Sequence, residues 1–395
     1  MKEISKIASV VQASTTLKVD ALAKQMKAEG KAVVGFGAGE PDFDTPDNIK
    51  EAAYKAIKDG QTKYTPANGT QALRQAVADR LRADCGISYT PGQIVVASGA
   101  KHNIYIALQT LLNPGDEVIL PAPYWVTYAE AIRMAGGVPV IIQASEASDF
   151  KITKAQMEAA VTDKTKLFII NNPSNPTGML YNADELRALA EVCVKHDLYI
   201  ISDEIYYRLV YDGKKFTSIA ALGDDVKQRT IVVNGVSKSY AMTGWRIGYT
   251  ASNDRLAEVM SNYLSHSTSA PSTISQFAAV EALSGPQEGI DAMRDVFEQR
   301  RNYIVERINA IDGVSCRKPE GAFYIMLNIE KLIGRTLGGM KINSSDDFSL
   351  AFLESGLVAV VSCDGFGCSN FLRMTYAASM ESIKEGIDRL EKFLL

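Results

Sequence analysis

Seven short apolar, β-branched runs recur through the middle of the chain, each marked off by turn residues: Ile94–Ala97, Glu117–Leu120, Val138–Ile142, Leu167–Ile170, Leu198–Ile201, Thr230–Val233 and Arg246–Thr250. Between them lie stretches with helical apolar spacing, at Ala100–Leu112, Tyr124–Ala135, Thr153–Val161 and Asn182–His196. Asn182, just ahead of Asp184 and Glu185, reads as an N-cap. Strand runs without polar alternation, separated by helices, predict an α/β fold: a mostly parallel seven-stranded sheet flanked by helices on both faces.

The flanks follow another pattern. Lys18–Glu29 and Asp47–Lys58 read as helices separated by the loop Gly37-Ala38-Gly39-Glu40-Pro41-Asp42. After Pro286 a long helix is expected from Gln287 to Ile311, with Met293, Val296, Phe297, Ile304 and Ile308 on one face. Strand-like runs at Ala322–Leu327, Leu357–Val361 and Phe371–Tyr376 follow, and the glycine-rich stretch Gly334–Ser345 reads as a surface loop. The 395 residues suffice for two or three units of roughly 100–200 residues each. The expected division is a large α/β domain over 46–285 and a smaller α+β domain built from 1–45 plus 286–395.

Composition excludes several classes of function. Forty-two basic residues stand against 46 acidic ones, spread evenly, for a net charge of −4. That leaves no basic footprint for nucleic acid or for an anionic membrane surface. No apolar run approaches the ~18 residues of a membrane helix. Five cysteines, an odd number without a C-x-x-C, argue against a disulfide framework and for a reducing, cytoplasmic setting.

Some tempting motifs fail on spacing. Gly35-Phe36-Gly37-Ala38-Gly39 is not G-x-G-x-x-G and runs into Glu40-Pro41 instead of a helix. Lys238-Ser239 lacks the upstream glycines of a P-loop. His102, His196 and His266 are scattered, so neither a metal site nor a Ser-His-Asp triad is expected.

In an open α/β sheet, ligands bind beyond the carboxyl ends of the strands, and polar residues gather there. Ser98-Gly99-Ala100 opens a helix whose free N–H groups suit a phosphate. Asp203, following Leu198–Ile201, is expected to be poorly solvated and to need a positive partner, which a structural ion pair would also supply. Lys238, past Ile231–Val233, fits either a desolvated amine nucleophile or a solvated surface charge. Arg246 suits a phosphate, and Arg373, a charge inside the apolar run Phe371–Thr375, suits a carboxylate.

Asn175-Pro176-Thr177-Gly178, Ser202-Asp203-Glu204-Ile205-Tyr206 and Ser237-Lys238-Ser239-Tyr240-Ala241-Met242-Thr243-Gly244-Trp245-Arg246-Ile247-Gly248-Tyr249 together resemble the signature set of the class I aminotransferases, pyridoxal-phosphate enzymes of fold type I. The resemblance runs from Ala38-Gly39-Glu40-Pro41-Asp42-Phe43 to Leu372-Arg373-Met374 and is closest to the prokaryotic aspartate aminotransferase branch.

That resemblance implies roles. Lys238 would hold pyridoxal 5'-phosphate covalently and later move the substrate proton. Asp203 would pair with the ring nitrogen, and Asn175 and Tyr206 with its phenolic oxygen. Ser98, Gly99, Ala100, Ser237 and Arg246 would bind the phosphate, and Trp125 would stack on the ring. Arg373, with Asn175 and the Gly39 backbone, would grip the α-carboxylate. Tyr64 resembles the tyrosine lent across a homodimer to the neighbouring phosphate. Lys101, Ser14 and Thr16 match positions that hold a distal carboxylate.

The implied reaction is ping-pong amino transfer from L-aspartate to 2-oxoglutarate. An aromatic amino acid or alanine aminotransferase, or a C–S β-lyase, is the alternative on the same fold. Gln12 stands where prephenate-accepting members carry arginine, which argues against prephenate. Val361-Ser362-Cys363-Asp364-Gly365 departs from the Pro-Gly turn of relatives.

Overall fold

The computed structural model describes residues 2–9, 11 and 15–395, with the backbone alone described over 15–20. Its central sheet consists of β1 (Ile94–Ala97), β2 (Glu117–Ala122), β3 (Val138–Gln143), β4 (Thr165–Asn171), β5 (Tyr199–Asp203), β6 (Thr230–Gly235) and β7 (Gly248–Ala251), in the order β1-β7-β6-β5-β4-β2-β3. Pairing is parallel from β6 through β5, β4 and β2 to β3, while β7 runs antiparallel to both β1 and β6. Every residue of β1, β6 and β7 is buried, as expected where helices cover both faces. Only the edge strand β3 is largely open to solvent.

The seven expected strands are all present, with ends moved by a few residues. Arg246 is not part of β7: its φ of +57° turns the chain before the strand begins. The helix expected from Tyr124 starts at Thr127, and ahead of it the Tyr124 N–H donates to the Phe366 carbonyl at 3.0 Å. Asn182 caps its helix as anticipated. Its Oδ1 accepts from the Asp184 and Glu185 N–H groups, and Glu185 returns the bond to the Asn182 N–H.

A second, antiparallel sheet comprises β8 (Ser315–Cys316), β9 (Tyr324–Asn328), β10 (Val361–Ser362) and β11 (Phe371–Thr375), in the order β10-β11-β9-β8. It shares one core with Phe36 and with the helices Glu288–Asn309, Ser345–Gly356 and Met380–Leu394. On the long helix Met293, Phe297, Ile304 and Ile308 are buried, whereas Val296 is only half-buried.

Two expectations are corrected. The run Leu357–Val361 is two pieces: Val358–Ala359 pairs in parallel with Val34–Gly35, and after Val360 the chain crosses to pair with β11. The stretch Gly334–Ser345 holds a small hairpin, Thr336–Leu337 against Met340–Lys341, turned by Gly338 and Gly339 at positive φ.

Candidate active site

The turns after the parallel strands line a cavity of about 350 Å³, closed on the other side by Gly37, Gly39, Tyr324 and Arg373. Because β7 runs backwards, the segment entering it lies at the same sheet edge as the ends of β5 and β6. The single connection from β6 to β7 therefore brings both Lys238 and Arg246 to the cavity.

Lys238 Nζ donates to the Gly39 carbonyl and stands 5.9 Å from the centre of the Phe323 ring. Burial lowers its pKa to about 8, opposed by the negative charges of Glu40 and Asp203 and reinforced by Arg373 and Arg246. Asp203, at the end of β5, is 3% exposed. It accepts from Tyr128 Oη at 2.7 Å and from the Ile205 N–H at 3.2 Å. Burial still pushes its carboxyl up to about 6, against those two hydrogen bonds and the Lys238 charge.

At one end of the cavity Ala100 opens the helix Ala100–Leu111 beside Ser237 and Arg246. Arg246 donates to the Thr243 carbonyl at 2.8 Å and to the Ser98 carbonyl at 3.3 Å, from a left-handed backbone that costs a non-glycine residue about 1–3 kcal/mol. Glycine is required at two neighbours. A Cβ on Gly99, whose φ is +89°, would run into the Arg246 guanidinium, and one on Gly248 would run into the Ala100 backbone. Both absences let the helix start, the strand and the guanidinium meet.

At the other end Arg373 is 4% exposed. It donates to Asn175 Oδ1 at 3.2 Å and to the Gly37 carbonyl at 2.8 Å, while its buried Nε has no partner. Its guanidinium lies over the rings of Tyr324 and Phe366, at 4.5 and 5.2 Å. Asn175 is held by its neighbour: its N–H donates to Asn171 Oδ1 at 2.7 Å, and Asn171 in turn donates to the Asp203 carbonyl. Tyr206 is buried with its hydroxyl 3.0 Å from that of Tyr324.

Of the residues singled out from the sequence, Gly39, Ala100, Lys101, Trp125, Asn175, Asp203, Tyr206, Ser237, Lys238, Arg246 and Arg373 line this one cavity. Lys101 stands over the Trp125 ring at 4.9 Å, its pKa lowered by burial and by Arg246. Ser98 and Gly99 are not among the lining residues, but both meet Arg246, Ser98 through its carbonyl and Gly99 through the close approach of its Cα. Tyr64 is fully exposed, in a separate open groove with Pro271 and Thr273. Ser14 and Gln12 lie outside the described residues, and Thr16 is described only as backbone in the helix Thr15–Ala28. Gly37, Tyr128, Asn171, Ile205, Thr243 and Tyr324 also line the cavity and are the residues that sequence reasoning missed. The variant turn at Val361-Ser362-Cys363-Asp364-Gly365 leaves Arg373 on β11, paired with Met326 and Val361.

Residues 31–390 match the family model for aminotransferases of class I and II. The chain belongs to that family. Across its full length this aminotransferase is 46% identical to the aspartate aminotransferase of Bacillus subtilis over 392 residues, covering 99% of each chain. It is 47% identical to the aspartate/prephenate aminotransferase of Cereibacter sphaeroides over 385 residues, 97% of this chain and 96% of the other. Among solved structures, the crystal structure of the aspartate aminotransferase from Rhizobium meliloti superposes with a TM-score of 0.96 at 42% identity, covering 100% and 99% of the two chains. The sheet order and flanking helices of this aminotransferase are thus those of fold type I. Among its described residues no helix is long and apolar enough to cross a membrane.

Proposed function

We propose that this aminotransferase uses pyridoxal 5'-phosphate to carry the amino group of L-aspartate to 2-oxoglutarate, giving oxaloacetate and L-glutamate. One arrangement carries the reading: a desolvated amine, Lys238 Nζ, stands in a cavity with an anion-binding end at Ala100, Ser237 and Arg246 and a carboxylate-binding end at Arg373. The substrate follows from the naming of the full-length relatives as aspartate aminotransferases.

The residues fit the cofactor. Asp203 is a buried carboxylate whose raised pKa marks a missing positive partner, which a protonated ring nitrogen supplies. The Gly99 and Gly248 cradle leaves the helix start and Arg246 open to a phosphate. Lys238 would hold the cofactor through its amine, Asn175 and Tyr206 would face its phenolic oxygen, and Trp125 would cover the ring. When bound, the cofactor supplies an electron sink for the pair left behind when the substrate Cα loses its proton.

Each side chain then has a task. Arg373 and Asn175 bind the α-carboxylate and so fix the Cα–H bond relative to Lys238. Lys238 Nζ would take that proton from the substrate Cα and pass it to the cofactor carbon that bears the transferred nitrogen, a role suited to an amine with a pKa of about 8. Trp125 keeps water from the reacting face. Lys101, with Ser14 and Thr16, binds the distal carboxylate. The enzyme works as a homodimer in the cytoplasm, with the exposed Tyr64 reaching the neighbouring subunit's phosphate; its five free thiols suit a reducing compartment.

The test is the visible spectrum of the purified protein, before and after L-aspartate is added without any oxo acid. A cofactor band that aspartate bleaches supports the reading. Bleaching by aromatic amino acids or alanine alone would shift the substrate to the alternative, and absence of any band after adding pyridoxal phosphate would overturn the assignment.

A further inference from the structure

We infer that Tyr324 is a positioning residue for the proposed reaction: its hydroxyl sets the direction of the hydrogen bond with Tyr206 and makes proton donation by Tyr206 answer to the charge at Arg373. This rests on the cofactor reading above.

The placement follows from strand register. In the antiparallel pair β9–β11, Tyr324 is opposite Thr375 and Met326 is opposite Arg373. Tyr324 and Arg373 are therefore diagonal neighbours on one face, close enough for long side chains to meet. The Arg373 guanidinium stands 4.5 Å from the centre of the Tyr324 ring. From the central sheet, Tyr206 brings its hydroxyl to 3.0 Å from that of Tyr324. The Tyr324 hydroxyl also abuts Gly39, where a Cβ would approach it to 3.1 Å, beside the carbonyl that accepts from Lys238.

Only one proton can lie between two phenol oxygens. If it belongs to Tyr324, the Tyr206 proton is free for an oxygen in the cavity; if it belongs to Tyr206, that hydroxyl can only accept from the cavity. Both tyrosines are buried, at 1% and 3% exposure, so bulk solvent does not compete for the bond. A cation over a phenol ring draws electron density from it and makes its O–H the better donor.

The balance of the surrounding charges favours Tyr324 as the donor, with Glu40 opposing. Burial raises both phenols. Tyr206, which also faces Asp203, is raised well above the ordinary value, with Arg373 opposing. Tyr324 faces Arg373, which lowers it, and Glu40, which raises it. A carboxylate bound at Arg373 offsets the cation and weakens the bias toward donation by Tyr324.

The holoenzyme carrying Tyr324→Phe keeps the ring and loses the hydroxyl. With a weaker donor at Tyr206, an anionic cofactor oxygen is less stabilised and holds a nearby proton more tightly. The pH midpoint of the bound cofactor's visible absorbance is then expected to rise by about half to one unit. The kcat is expected to fall about five- to tenfold, with KM changed less than about twofold. Tyr324→Leu is expected to shift the midpoint at least as far. In the Tyr206→Phe background neither substitution is expected to add a further shift. An unmoved midpoint in both single variants, or an equal shift with and without the Tyr206 hydroxyl, would overturn the inference. Absence of a cofactor band in the unmodified protein would instead overturn the cofactor reading.

Discussion

Arg373 and Asn175, 198 residues apart in the chain, meet in a 3.2 Å hydrogen bond from guanidinium to amide oxygen inside the protein. The Nη2 of Arg373 is fixed on the Gly37 carbonyl, so the guanidinium is held in one orientation at the cavity wall for the carboxylate proposed to bind there. Removing it with Arg373→Ala is expected to cost roughly 3–5 kcal/mol, or two to four powers of ten in kcat/KM. The loss should be similar for every amino acid, since all carry the α-carboxylate. Steady-state rates with aspartate and alanine check this, and a loss of only a few-fold would remove Arg373 from the role.

Lys101 makes a contrasting prediction. It lies above Trp125 at the cavity wall, where only a substrate with a second carboxylate would reach it. Lys101→Ala is expected to reduce kcat/KM for aspartate at least about tenfold more than for alanine, the scale of one charge-assisted hydrogen bond. Equal losses for both substrates would make Lys101 a phosphate-side residue instead.

Capture of the cofactor by Lys238 should depend on pH. Only the neutral amine attacks an aldehyde, and burial brings the pKa from 10.5 to about 8. Reconstitution of cofactor-free protein with pyridoxal phosphate, followed by absorbance, is expected to accelerate as pH rises through about 8. Glu40 favours the charged amine, so Glu40→Gln is expected to move that midpoint down. A midpoint near 10.5 in the unmodified protein would contradict the desolvated site.

Glu204, next to Asp203, is fully buried and accepts from Ser202 and Ser218 through one oxygen, leaving the other without a partner. Burial raises its pKa from 4.5 to about 7, with Asp203 adding to the rise. The folded state then binds the proton more tightly than the unfolded one between about pH 4.5 and 7. Stability from this group is complete below that window and is lost as pH rises through it, by about 3 kcal/mol. Glu204→Gln mimics the protonated form and is expected to flatten the dependence. Melting temperatures of both proteins at pH 5 and pH 8 test this, and parallel curves would refute it.

Tyr64 is tested by mixing subunits. Tyr64→Ala alone should weaken cofactor binding about ten- to hundredfold, as expected for a hydrogen bond to a charged group, while Lys238→Ala alone should abolish transfer. Co-expression of the two should restore activity at low cofactor concentration, because one site of each mixed dimer, in the assembly proposed, would keep both residues. Restoration would fail if Tyr64 served only its own subunit.

Much of this site is legible in the sequence because β-strands end where chemistry begins. Asp203, Lys238 and the Ser98–Ala100 turn follow apolar runs directly, and Asn182 and Thr70 announce helix starts, Thr70 accepting from the Leu73 N–H at 3.2 Å. The helix Gln71–Cys85 that follows Thr70, closed by Gly86 in the left-handed conformation, is not among the expected elements although both of its ends carry such signals. Tyr324 is different in kind. Its relation to Arg373 depends on the register of β9 against β11, and its relation to Tyr206 on how two sheets face each other. Neither leaves a local pattern. Gly37 and Thr243 likewise acquire meaning only through the partners the fold gives them, Arg373 for one and Glu40 and Arg246 for the other.

The parallel pairing of Val34–Gly35 with Val358–Ala359 has a consequence for how the protein is made. The segment that carries Gly37 and Gly39 leaves the ribosome long before its strand partner is synthesised, and Arg373 comes later still. The strands of the central sheet are all synthesised by Ala251, well before that partner. The early segment must wait for Val358–Ala359 before it can take its place. The cavity is therefore finished only once β11 has emerged, and a chain cut before β11 lacks the wall that Arg373 supplies.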